Sequence, residues 1–157
     1  MTEQKTKKYF KMRGFALERI PEGTKKTPDF GNGEFLVEVK QIAPLEEEGL
    51  HQDSTYNAIK NNLRDSARKF YSFDPEHKRK HIVIVFSDEI IKEDIHSVWT
   101  GEWSPDIRKR IFRGGMVLSG EHRRHIDAIA WFRNISDSIP KHIWLVDDKT
   151  KVYFGGS

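Results

Sequence analysis

Asp29, Glu38 and Lys40 are side chains of the types needed to hold a hard cation and to activate a water. They lie in the segment Thr27-Pro28-Asp29-Phe30-Gly31-Asn32-Gly33-Glu34-Phe35-Leu36-Val37-Glu38-Val39-Lys40. Carboxylates supply oxygen ligands suited to Mg²⁺, which takes one or two of them together with waters and phosphate oxygens. Such an ion lowers the pKa of a bound water and stabilises charge developing at phosphorus. A lysine two residues from one carboxylate orients that water or stabilises the transition state. The chemistry expected is phosphodiester hydrolysis, with Asp29 and Glu38 holding Mg²⁺ (Mn²⁺ as a substitute) and Lys40 beside them. The competing, plainer expectation is a half-exposed strand with a surface ion pair at i, i+2, which contributes little stability.

The elements around the segment must bring these groups together. Residues 26–30 and 34–42 read as the strands of a hairpin, turning on Gly31-Asn32-Gly33. With a tight turn on Asn32-Gly33, Gly31 faces Glu34, Asp29 faces Leu36 and Thr27 faces Glu38. Side chains alternate along a strand, so Leu36, Glu38 and Lys40 share one face and Phe35, Val37 and Val39 the other. Asp29 then falls on the Glu38 face as a diagonal neighbour, about 7 Å away. A register change of one residue would send it to the wrong face.

Residues 4–13 read as a short basic helix or lead-in, broken at Gly14. Residues 15–20 read as a strand ended by Pro21-Glu22-Gly23. After Pro44 and an acidic loop, Asp53 or Ser54 caps a helix over 53–71, with a buried stripe of Tyr56, Ile59, Leu63, Ala67 and Phe70. Residues 81–87, HIVIVFS, read as a strand covered on both faces. A helix over 88–98 follows, then one from Ser104-Pro105-Asp106 to about Phe112. Strands are expected at 116–118, 126–132 and 143–146, with 151–154 pairing back on the last. Strands alternating with helices predict one α/β or α+β domain over residues 1–157, a mixed sheet with helices on both faces.

Pro28-Asp29 followed by Glu38-Val39-Lys40 at the end of an apolar strand resembles the signature of the PD-(D/E)XK nuclease superfamily. The Gly-rich turn, the following helix and the strand at 81–87 extend the resemblance over roughly residues 14–90. It implies a restriction-endonuclease-like fold, metal-dependent cleavage of nucleic acid, usually DNA, and a site using the Val39 backbone carbonyl as a further ligand. The family commonly adds an upstream acid from a helix. Glu18 is the best-placed candidate and Glu22 a weaker one, although residues 15–20 read as strand. By analogy a duplex-cutting enzyme needs two active sites, so a homodimer is expected.

The net charge of +3 is only mildly basic, so the clustering of cations says more than the total. Asn57, Lys60, Arg64 and Lys69 lie on the polar side of the 53–71 helix, and Lys78, Arg79 and Lys80 form a cluster. Asn57, Lys60, Arg64, Lys78 and Arg79 are the expected contacts to phosphate. Further clusters are Arg108, Lys109, Arg110 and Arg113, and then Arg123 and Arg124. His122, His125 and His142 match no metal motif, and without cysteine there is no thiolate site or disulfide. Trp103 is the best candidate for stacking on bases; Trp131 and Trp144 read as core. Asp127, in an apolar strand, reads as a buried residue with a structural partner. No apolar run approaches the roughly 20 residues that span a bilayer. The expectation is a cytoplasmic globular protein with no membrane contact. The alternative function is a non-catalytic nucleic-acid-binding module on the same fold.

Overall fold

The computed structural model describes residues 2–24, 26–43, 52–89, 91–100 and 118–154, with the side chains of 52–55 not described. The expected helix over 104–112, the strand at 116–117, Trp103 and the 108–113 basic cluster lie outside these residues.

Helix α1, Thr2–Met12, leads into a six-stranded mixed sheet. Its strands run in chain order across the sheet: β1 Glu18–Arg19, β2 Phe30–Gly31, β3 Phe35–Ile42, β4 Lys80–Ser87, β5 Ala128–Phe132 and β6 His142–Leu145. The three central strands, β3, β4 and β5, are parallel, and antiparallel neighbours flank them on both sides. Parallel neighbours need long crossovers. Helix α2, Gln52–Phe73, makes the first, and α3, Ile91–Thr100, with the short α4, Gly120–Arg123, lies on the second. The described residues form an α+β protein whose sheet carries helices on both faces.

The apolar pattern accounts for the layers. Leu36 and Ile42 of β3, with Val83 and Val85 of β4, pack against Ile59, Leu63, Ala67 and Phe70 of α2 and Ile95 and Val98 of α3. Phe35 and Val37, with Ile82, Ile84 and Phe86, pack on the other face against Tyr9 and Phe10 of α1. Strand β4 is buried on both sides from His81 to Ser87, which is why its sequence runs apolar instead of alternating.

Several expectations change. Strands 15–20 and 26–30 shrink to two-residue pairings. Residues 126–127 stay outside β5, and α4 occupies the stretch before it. Residues 150–154 form a 3-10 helix instead of a hairpin strand. Asp147 caps that helix, accepting from the Thr150 N–H at 2.9 Å and hydroxyl at 2.8 Å, and Phe154 buries against the α1 side of the sheet.

Candidate metal site on the β2–β3 hairpin

The β2–β3 register pairs Gly31 with Leu36 and Phe30 with Val37. The ladder ends at Phe30 and Val37, and Asp29 lies in the bend before it; the same register carried one residue further would set Asp29 level with Glu38 instead of diagonal to it. The turn sits one residue later than expected, with the Asn32 N–H donating to the Phe35 carbonyl at 2.9 Å. The Asn32 side chain is the cause. Its Oδ1 accepts from the backbone N–H of Glu34 at 2.7 Å and of Phe35 at 2.9 Å, an Asx turn in place of one centred on Asn32-Gly33. The register therefore moves by two residues, which keeps face parity and shortens the separation. Gly31 permits the close pairing, because a Cβ there would lie 2.9 Å from Leu36 Cδ2.

Asp29 is anchored by the Val39 N–H, which donates to Oδ2 at 2.8 Å. The N–H and C=O of one strand residue point the same way, so the Val39 carbonyl also lies on the Asp29 side. Glu38 is fully buried, facing α2. Its Oε2 accepts from Lys69 Nζ at 2.6 Å and lies 3.3 Å from Lys40 Nζ. Its Oε1 is buried with no hydrogen-bond partner. Lys40 Nζ donates to Asp65 Oδ2 at 2.8 Å, and Lys69 Nζ lies 3.4 Å from the same oxygen.

Burial, with the nearby Asp29 charge, pushes the Glu38 carboxyl up to about 7 against the pull of Lys69 and Lys40. Burial also acts upward on Asp65, but Lys40 and Lys69 outweigh it and hold that carboxyl below its usual range. Burial would lower Lys69, and its hydrogen bond to Glu38 raises it instead. The geometry thus joins Asp29, Glu38 and Lys40 and adds Asp65 and Lys69. Their signal in the sequence was the i, i+4 spacing on one flank of the helix, adjoining the stripe that faces β3.

The other expected residues lie elsewhere. Glu18 is exposed on β1, opposite Gly31, in a strand and not a helix, so it is not placed as a helical acid would be. Glu22 is exposed as well. Helix α1 packs Tyr9 and Phe10 on the opposite face of the sheet. Asn57, Lys60 and Arg64 project from the other flank of α2. At 100° per residue they stand well away from Asp65 and Lys69, and Lys60, Arg64 and Arg68 act on His122 of α4. Lys78 and Arg79 precede β4 at the end where Lys80 pairs with Phe35, whereas Lys40 pairs with Val85. That is about 16 Å along the strand. Arg79 stacks over the Phe73 ring and Lys78 pairs with Glu76.

A second polar cluster lies where β4 begins. His77, His81 and Asp127 bring their ligand atoms within 4.8 Å of one another. The two imidazoles are stacked 3.9 Å apart with 2° between their planes. An imidazole nitrogen offers its lone pair in the ring plane, so parallel rings cannot both aim at one ion about 2 Å away. His81, His77 and Asp127 are engaged in hydrogen bonds instead, although the ring nitrogen His125 Nδ1 is buried without a partner. His81 Nδ1 donates to the His125 carbonyl at 2.7 Å, and a proton lies between His81 Nε2 and Asp74, 2.8 Å apart. Asp127 Oδ2 accepts from the His81 N–H and meets His77 Nε2, each at 2.7 Å. Asp127 is thus a buried residue with structural partners, as its apolar setting implied. His122, His125 and His142, which match no metal motif in the sequence, are not brought together as a group of three ligands among the described residues. Trp131 and Trp144 are core, and so is Trp99.

Comparison of the chain with protein-family models, with curated proteins and with solved structures finds no match. The class is therefore set by the architecture: an α+β protein built on a six-stranded mixed sheet. No helix among the described residues is long and apolar enough to cross a membrane.

Proposed function

We propose that this protein is a Mg²⁺-dependent nuclease acting on DNA, with Asp29 and Glu38 as metal ligands and Lys40 at the reacting phosphate. One observation carries the reading: the Asp29 carboxylate is fixed to the N–H of Val39, the residue after Glu38, and Glu38 presents a buried, unpartnered oxygen. Burying a carboxylate oxygen with no partner is costly, and a hard cation meeting both carboxylates removes that cost. The all-oxygen donor set, with the Val39 carbonyl beside it, suits Mg²⁺ or Mn²⁺.

The bound ion would polarise the phosphate and lower the pKa of the attacking water. Asp29 is pre-set for this by the Val39 N–H. The Lys40 ammonium, shared by Asp65 and Glu38, can turn to donate to a phosphate oxygen or to the water. Water adds at phosphorus, one P–O ester bond breaks, and its oxygen leaves with a proton. Arg64 and Arg68, which have no carboxylate partner among the described residues, are suited to hold the flanking phosphates. The order α1-β1-β2-β3-α2-β4, with the acid before the hairpin turn and Glu-x-Lys on β3, supports a restriction-endonuclease-like fold of the PD-(D/E)XK kind. A duplex substrate adds the expectation of a homodimer, which sedimentation would test.

One feature favours a second reading, a non-catalytic nucleic-acid-binding module. Lys40 and Lys69 already neutralise Glu38 and Asp65 without any metal. A cleavage panel separates the two readings: plasmid, linear duplex, single-stranded and branched DNA, and RNA, each with Mg²⁺, Mn²⁺ or EDTA. Metal-dependent cleavage that falls about 10²- to 10³-fold in Lys40→Ala supports the nuclease. Salt-sensitive binding without cleavage supports the module.

A further inference from the structure

We infer that Lys69 is a positioning residue for this site: its ammonium takes one oxygen of Glu38 and leaves the other to meet a divalent cation. The inference rests on the metal-dependent reading above and assigns the site's two lysines separate duties. Glu38 Oε2 makes its shorter contact with Lys69, at 2.6 Å, and not with Lys40, its neighbour two residues along the strand, at 3.3 Å. Asp65 draws Lys40 aside, accepting its ammonium at 2.8 Å.

Both cations therefore converge on Oε2, while Oε1 is buried and unpartnered. A metal meeting Oε1 displaces neither lysine. If Lys69 were instead a stand-in for the metal, the ion would have to enter at Oε2, where Lys40 also sits. A fully buried carboxylate needs a counter-charge held in place, because the same group left alone in the interior would be strongly destabilising. Helix α2 provides it. Asp65 and Lys69 stand one turn apart on the same flank, and Ile59, Leu63, Ala67 and Phe70 lock that helix onto the sheet. Lys40 makes its shorter contact with the partly exposed Asp65, and Lys69 makes its shorter contact with the buried Glu38.

The test compares Mn²⁺ affinity by calorimetry with Mg²⁺-supported cleavage, for the folded full chain below its melting temperature. Lys69→Met should bind Mn²⁺ about 10- to 100-fold more weakly, the range seen when a group orienting a metal ligand is removed. Lys69→Arg should restore most of the affinity. Lys40→Met should bind Mn²⁺ within about threefold of wild type and still lose turnover, giving a binding-against-rate split between the two lysines. If Lys69→Met does not fold, Lys69→Gln keeps a donor to Oε2 without the charge and should show the same weakening. Unchanged Mn²⁺ affinity in these variants overturns the inference, since the ammonium would then only fill space. Tighter binding overturns it too, because Lys69 would be the metal's competitor. A wild type that binds no Mn²⁺ at all fails the metal reading itself, which is distinct from a wild type that binds and a Lys69 variant that binds equally well.

Discussion

Two polar clusters lie in or against the sheet of this protein, and they are built to opposite rules. At the start of β4, Asp74 accepts from the N–H groups of Lys78 and Arg79, each at 3.0 Å, and pairs with His81; Asp127 meets His77 and the His81 backbone. Burial would raise Asp74, but these donors hold its carboxyl low, while burial holds His81 below its ordinary value. On the hairpin, by contrast, burial and a like charge push Glu38 up, and one of its oxygens goes without a donor. Satisfied polar networks rigidify a fold, whereas a deliberately short supply of donors leaves capacity for a ligand. Under the proposed function the difference gives the histidine cluster, whose own orphaned atom is the ring nitrogen His125 Nδ1, a structural role and the carboxylate cluster a binding one.

The sharpest way to break this contrast is to remove one carboxyl charge from each cluster. Glu38→Gln should leave the chain folded and reduce metal-dependent cleavage by about 10³-fold or more, read as initial rates. Asp74→Asn should do the reverse. Leaving a buried hydrogen-bonding group short of its partner costs about 1–3 kcal/mol, while cleavage per folded molecule stays at the wild-type level. Denaturant melts and rates on the same preparations read both effects, and exchanged outcomes would reverse the two assignments.

A pH series sharpens the same comparison. The Glu38 carboxyl, ordinarily at 4.5 and about 7 when folded, retains a proton in the native state that the unfolded chain releases. Its contribution to stability is fully present below about 4.5 and is lost as pH rises through 7. Asp94 is pushed up to about 6 by burial, so the wild type alone would mix the two groups. The Tm of Glu38→Gln minus that of wild type isolates Glu38. It should grow from pH 5 to pH 8 by a few degrees, about the shift per kcal/mol for a domain of this size. A gap independent of pH would mean that Glu38 is not held in an unfavourable site.

The smallest effect concerns the far flank of α2. Arg64→Ala/Arg68→Ala should leave Mg²⁺ and Mn²⁺ affinity unchanged while weakening DNA binding. The slope of log K against log salt should fall by about 1.8, as expected for two lost phosphate contacts. An unchanged slope would move the nucleic acid to another face.

Much of the architecture was legible because it rests on local periodicity. The stripe Tyr56, Ile59, Leu63, Ala67 and Phe70 belongs to one helix face wherever that helix packs, and it came out buried throughout. The run HIVIVFS reads as a strand covered on both sides for the same reason. Short elements were less legible. Residues 151–154 read as a strand pairing back on 143–146, yet the Asp147 cap and the burial of Phe154 made a helical turn. Asn32-Gly33 is a strong turn signal, but the Asn32 side chain bonded to the backbone two and three residues on and moved the turn by one position.

The candidate site divides along the same line. By itself the sequence determined that Glu38 and Lys40 share a strand face opposite Phe35, Val37 and Val39, because a pleated strand has period two. It also predicted Asp29 on that face, and a two-residue shift of the β2–β3 register does not change that parity. Only the tertiary structure decided that the Asp29 carboxylate bonds to the Val39 N–H beside Glu38, that Lys69 reaches the Glu38 carboxylate and Asp65 the Lys40 ammonium, and that Lys60 and Arg64 do neither. Nor could spacing have joined His77 and His81 to Asp127, which lies 46 or more residues away. Such contacts depend on the register of strand pairing and on the rotation of a helix against a sheet, and the packing of the whole core sets both.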